Sequence, residues 1–201
     1  LRLPLDPPKS GSSSSRVLTS RVWGDRVEGL DQGQEAADWL SQFLGQRVRL
    51  ARFRPGFVRP TDPDYAEGYQ TGFADGFPFL VASEASLADL NQRLLPSAHQ
   101  VLMDRFRPNI VISGCEAWAE DTWEKILVGE VAMRAVKPCS RCKIPRIEQS
   151  TGKVDDKEPT ETMKAFRSGE KLGLPEALKN DVFFGQNLVH EHNGTVKVGD
   201  D

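Results

Sequence analysis

The longest apolar runs in this sequence, Phe77 to Ala82 and Asn109 to Ser113, are no longer than a β-strand. That limit removes most architectures. Nothing approaches the roughly 18 to 20 apolar residues that a bilayer-spanning helix needs, and no internal repeat or heptad supports a solenoid or a coiled coil. A chain of 201 residues with 38% hydrophobic and 27% charged residues has an ordinary soluble composition and should bury a real core. The length suits one domain, or one and a half small ones. Its core must be built from many short strands and scattered short helices, which is an α+β arrangement with a barrel-like centre.

The local pattern places these elements. Residues 1–15, rich in Pro, Gly and Ser from Pro4 onward, read as a flexible linker. Arg16 to Arg26 carries Val, Thr and Trp and predicts a strand ending near Gly24. Ala36, Ala37, Trp39, Leu40, Phe43 and Leu44 recur at helical spacing, and Gly45 stops that helix. Arg47 to Phe53 alternates like an exposed strand, and a Pro-, Gly- and aromatic-rich loop runs from Pro55 to Gly76. Phe77 to Ala82 and Asn109 to Ser113 predict buried strands. A helix is expected to start at Ser86, with Asp89 completing a capping box and Leu87, Leu90 and Leu94 on one face. Leu127 to Val136 predicts one strand, Thr160 to Arg167 a short helix, and Gly194 to Asp200 a last strand with its turn.

Charge narrows the function. With 26 Lys and Arg against 29 Asp and Glu, the net charge of −3 makes no global case for nucleic acid or an anionic membrane surface, so any anion site is local. Three cysteines are too few for a disulfide framework and point to a reducing compartment. Two of them form Cys139-Ser140-Arg141-Cys142, with Lys137, Arg141, Lys143 and Arg146 around it. A thiolate is the reactive, metal-binding form of cysteine, and cationic neighbours favour it. Three readings compete: a zinc site completed by His190 and His192, a thioredoxin-type pair, against which Pro145 argues, and two cysteines packed at a strand end. Arg107 and Asn109 in Arg-Phe-Arg-Pro-Asn offer a forked donor and an amide before a strand. Asp75 and Gly76 form a turn before Phe77 in which the backbone can approach a ligand closely.

Taken in order, Asp75 to Asn91, Arg105 to Gly114, Ala119 to Trp123, Cys139 to Cys142, Lys157 to Lys164, Phe184 to Gln186 and Gly194 to Asp200 resemble the motifs of the MOSC-domain family. The likeness is greatest to its amidoxime-reducing branch and extends to the C-terminal domain of molybdenum cofactor sulfurases. It implies a MOSC-type β-barrel core with short helices, incomplete at both ends, with 16–80 as part of the N-terminal-like region and 81–201 as the domain truncated at its last strand. It also implies a molybdenum–molybdopterin cofactor, with no pyridoxal phosphate. Cys142 would supply the thiolate ligand to the metal and so be the catalytic residue, with Cys139 in a supporting position. Ser140, Arg141, Arg107 and Asn109 would contact the cofactor, Asp75, Gly76 and Phe77 would line the pterin, and Asn187 would stand where animal members carry an aromatic residue.

The implied reaction is two-electron reduction of amidoximes and hydroxylamines to amidines and amines. Electrons would come from a b-type cytochrome and its NADH-dependent flavin reductase, on the cytosolic side of the outer mitochondrial membrane, through an anchor that this chain lacks. The alternatives are a cofactor-binding or sulfur-carrying domain with a persulfide on Cys142, which would show as a mass gain of one sulfur, and a zinc-stabilised module. An incomplete barrel is expected to bind the cofactor weakly or not at all by itself. Metal analysis after purification from a cofactor-producing host should therefore find well under one molybdenum per chain, and a stoichiometry near one would overturn that expectation.

Overall fold

A computed structural model describes residues 1–4, 16–94 and 98–201. Most of the linker reading falls on 5–15, outside the described residues. The described chain forms two compact units, one of Leu1–Pro63 and Glu67–Gly76, the other of Asp64–Ala66 and Phe77–Asp201.

The first unit holds a three-stranded antiparallel sheet in the order β1-β2-β3. Strand β1 (Val17–Val22) turns through Trp23 and Gly24 into β2 (Asp25–Asp31), and β3 (Ala51–Phe53) is shorter than the predicted strand. The sequence reading missed β2, because only Val27 and Leu30 mark it as apolar. Its inward positions are Val27, Gly29 and Asp31. Gly29 is what lets β3 come close, since a Cβ there would lie 2.9 Å from the Ala51 Cβ. Helix α1 (Gln34–Leu44) ends as expected on Gly45, left-handed at φ 66°, whose N–H reaches the Ser41 carbonyl. Its buried residues are Ala36 and Ala37, while Trp39 and Phe43 stack on each other, exposed. The short helix α2 (Pro63–Ala66) interrupts the predicted loop.

The second unit is built on a five-stranded mixed sheet in the order β5-β4-β8-β7-β6, open at both edges and curled as a half-barrel. Strand β4 (Phe79–Ser83) runs straight into helix α3 (Glu84–Arg93), which crosses over to the parallel β5 (Ile110–Ile112). Ser83, not Ser86, is the N-cap: its Oγ accepts from the Ala85 and Ser86 N–H groups at 3.1 and 3.4 Å. Ser86 lies inside the helix and donates to Glu120 instead. Strand β5 is an edge strand with Val111 46% exposed, not the buried strand its composition predicts. The single strand predicted over 127–136 is a hairpin of β6 (Lys125–Val128) and β7 (Val131–Ser140), turning at Gly129, left-handed at φ 57°.

Helix α4 (Thr160–Arg167) matches its prediction. The last strand, β8 (Phe183–His190), went unread, yet it lies between β4 and β7 and bonds to both. The segment Gly194 to Asp200 joins no strand ladder. It is tied down by single contacts, the Thr195 N–H to Glu130 and the Gly129 N–H to the Asp201 carbonyl.

Two apolar clusters cover the two faces of this sheet. One packs Ala82, Leu90, Val101, Phe106, Met163, Val182 and Phe184, and the other Val81, Val131, Met133 and Leu188. Phe184 and Leu188 are four apart on one strand and would share a face in a regular pleat. Gly185 breaks the alternation: at φ 79° it stands where an L side chain is strained, and an added Cβ would lie 2.6 Å from the Val81 carbonyl oxygen. Gly185→Ala should therefore destabilise the second unit by about 2–4 kcal/mol, read as a lower midpoint in urea unfolding.

Candidate functional site

The Cys-Ser-Arg-Cys segment begins as the end of β7 and leaves the sheet as a turn. Ser140 is paired with Phe183, and the Arg141 N–H donates to the Val182 carbonyl at 2.7 Å. Between the rungs Pro138–Gln186 and Ser140–Phe183, β7 has one residue, Cys139, where β8 has two, Phe184 and Gly185. A β-bulge of this kind bends the strand and re-aims side chains. Cys142 follows in the turn, exposed, with its Sγ accepting the Ile144 N–H at 3.4 Å. Pro145 sits in a 3-10 turn, Ile144–Arg146, so no helix begins at the first cysteine.

Arg141 joins this turn to the second predicted motif. One guanidinium nitrogen donates to Cys139 Sγ at 3.0 Å and another to the Phe106 carbonyl at 2.7 Å. Its Nε is buried with no hydrogen-bond partner among the described residues. Phe106 is itself fixed by stacking on Phe184, with ring centroids 3.9 Å apart. Arg-Phe-Arg-Pro-Asn and Cys-Ser-Arg-Cys are thus held together by a contact 35 residues apart in sequence.

The next residue, Arg107, is exposed and left-handed at φ 55°, immediately before Pro108. A non-glycine residue there stores strain, and such strain gathers at ligand clamps. Asn109 locks the start of β5, its N–H donating to the Leu80 carbonyl at 2.9 Å and its Oδ1 accepting the Leu80 N–H at 2.8 Å. Leu80 pairs with Asn187 and Asn187 with Lys137, so these residues form one row across the sheet. The Asn187 Nδ2 donates to the Lys137 carbonyl at 3.2 Å.

The remaining predicted residues divide between the two units. Phe77 is buried in the second unit, edge-on to Tyr65, and Lys137 Nζ lies 4.0 Å from the centre of the Tyr65 ring. Asp75 and Gly76 belong to the first unit. There Asp75 Oδ1 accepts from Trp23 Nε1 at 3.1 Å, and the buried Arg59 gathers the carbonyls of Gly72, Ala74 and Asp75. The zinc reading fails on register. His190 pairs with Met133, six residues along β7 from Cys139, which is roughly 20 Å at the rise of a strand. Among the described residues no three His, Cys, Asp or Glu side chains are grouped to hold a metal ion. Of the supposed cationic patch, Arg146 donates to the Asp155 carbonyl and Lys137 lies on Tyr65.

A buried polar network behind the sheet draws on three of the sequence motifs, through Ser86 and Asp89, Glu120 and Asp121, and Gln186, but nothing in the sequence marked these residues as partners of one another or of Arg167. Arg167, with 4% of its side chain exposed, pairs with Asp121 through both terminal nitrogens, one at 2.9 Å, and its Nε donates to the Phe183 carbonyl at 3.1 Å. The Asp121 carboxylate also accepts from Gln186 Nε2 at 2.9 Å. Arg167 lies 4.2 Å over Trp118, whose Nε1 donates to Asp89. Glu120 is fully buried, accepting from Ser86, with its second oxygen unpartnered among the described residues.

A MOSC-domain family model matches residues 68–201. The chain belongs to the MOSC-domain family. It is 41% identical over 206 residues to a Homo sapiens protein named mitochondrial amidoxime-reducing component 1, covering 100% of this chain and 58% of the relative. Its Mus musculus counterpart is 41% identical over 207 residues, with the same coverage. Mitochondrial amidoxime reducing component 2 of Bos taurus is 38% identical over 193 residues, 94% of this chain and 56% of that protein. The chain therefore spans a little over half the length of these relatives. Among the described residues no helix of this MOSC-domain chain is long and apolar enough to cross a membrane.

One carboxylate of the network gives a pH test. The Arg93 hydrogen bond holds the Asp89 carboxyl below the ordinary aspartate value of 3.8, against the opposing effect of partial burial, with Trp118 adding to it. A depressed folded-state pKa contributes stability above the unfolded value and loses it as the pH falls through the folded one. The stability gap between wild type and Asp89→Asn should thus be widest at about pH 7 and narrow as the pH falls below 3.8 and through the lowered folded-state value, followed by urea unfolding.

Proposed function

We propose that this MOSC domain carries the metal-binding side of a molybdenum-dependent N-reductase, acting on amidoximes and hydroxylamines with electrons relayed from NADH by a flavin reductase and a b-type cytochrome. The observation that carries the reading is the Arg141 bridge, which sets an exposed thiol and an exposed, strained arginine on two turns that share one anchor. The names and identities of the relatives support the same reading, and the word mitochondrial in those names supports a mitochondrial placement, which we put at the outer membrane.

The residues present fit a molybdenum–molybdopterin group. A soft thiolate suits a metal that already carries sulfur donors, and one protein ligand is then enough. Cys142 is the cysteine free to provide it, because Cys139 is half-buried and engaged by Arg141. Arg107 offers a forked, permanently charged donor to a phosphate or pterin edge, and Ser140 an exposed hydroxyl within the Cys-Ser-Arg-Cys motif. The unpartnered Arg141 Nε would be a further donor to it, as would the Asn109 Nδ2, and Asn187 would contact the same group from the row it shares with Leu80 and Lys137. When bound, the cofactor supplies the two-electron exchange that removes the oxygen of an N–OH group.

The protein's part is positioning. Arg141 holds the Cys142 turn against Phe106, Asn109 pins β5 to β4, and Arg107 is presented outward by a backbone conformation the neighbouring proline restricts. In the full-length protein, Cys142→Ala should lower N-reduction more than about 100-fold, while Cys139→Ala should stay within about tenfold of wild type. Steady-state assays with an amidoxime and the reconstituted electron donors decide this. If both variants keep wild-type rates, the metal-ligand assignment is wrong.

A further inference from the structure

We infer that Asp121 and Arg167 are positioning residues for the Cys-Ser-Arg-Cys turn, acting through the bulge in β8. The inference rests on Cys142 being the working thiolate, as proposed above. The turn is attached to β8 on one edge, where Ser140 pairs with Phe183 and Arg141 donates to Val182. The ion pair grips the same stretch. Arg167 Nε holds the Phe183 carbonyl, Asp121 holds the Gln186 side chain, and the two attachments bracket Phe184 and Gly185, the residues opposite Cys139.

Ladder hydrogen bonds alone leave the position of such a bulge weakly determined, because a slip of one residue still allows pairing while it turns every following side chain to the other face. A slip here would redirect Asn187 and move Phe183, and with it the rung that fixes Ser140. The fork of Arg167 is suited to prevent that, since three of its nitrogens are committed at fixed angles and its plane lies on Trp118. A buried ion pair is weak evidence for stability as such, because desolvation offsets much of its attraction, and fixing one arrangement among several is a role it can serve.

Native-state hydrogen exchange on the metal-free 201-residue chain tests this independently of any cofactor. Arg167→Lys keeps the charge but cannot reproduce the fork, so the Arg141 amide should exchange about tenfold faster while the amides of the β6–β7 hairpin are unchanged. Gln186→Met leaves the ion pair in place and should accelerate the same amide about threefold; it decides the matter alone if Arg167→Lys does not fold. Acceleration shared equally by the hairpin would show a merely structural pair, and no change at Arg141 would overturn the inference. Selective acceleration here, together with a full-length Cys142→Ala protein that keeps its molybdenum and its N-reduction, would remove the metal reading and leave the positioning role standing.

Discussion

Strand β8 is hydrogen-bonded on both edges, and the second unit depends on that placement. A central strand commits the N–H and C=O groups of its backbone to two neighbours, so it cannot shift without breaking both ladders. Around it the sheet gains its two covered faces, and Gly185 decides which residues of β8 meet which face. The same strand carries Phe184, on which Phe106 stacks, and it is through Phe106 that Arg141 reaches the second motif. Fold and candidate site share one mechanical part.

How much of this could be read in advance depended on whether the information was local. Helix α4 was legible because its period and length stand alone, and α1 because Gly45 marks its end in a left-handed residue. Its burial was not legible in the same way, since a stripe of Trp39, Leu40, Phe43 and Leu44 would suit a buried face and the structure exposes Trp39, Phe43 and Leu44. Strand β8 was illegible for the reason it matters: Phe-Phe-Gly-Gln-Asn-Leu-Val-His has no period of two, because the bulge at Gly185 resets it. The Thr-Val-Lys-Val stretch fails the other way, alternating well but forming no ladder.

The candidate site divides along the same line. Cysteine, arginine and asparagine announce their chemistry in the sequence, so Cys142, Arg141, Arg107 and Asn109 could be named from residue type and motif. What could not be read is which carbonyl Arg141 finds, or that Asp121, Arg167 and Gln186 meet across 46 and 65 residues. Single charged residues at such separations carry no pattern. Only the packed sheet brings them together.

The strand order has a consequence for biosynthesis. In the order β5-β4-β8-β7-β6 the latest of these five strands in sequence is the one that joins the two halves, β4 with β5 and β6 with β7. Until β8 has emerged from the ribosome, β4 and β7 each carry an unpaired edge, and the gap between them is closed by contacts distant in sequence, which form slowly. A nascent chain stalled after α4 would hold two separate sheet fragments with open edges, a natural target for chaperones that recognise unpaired strands.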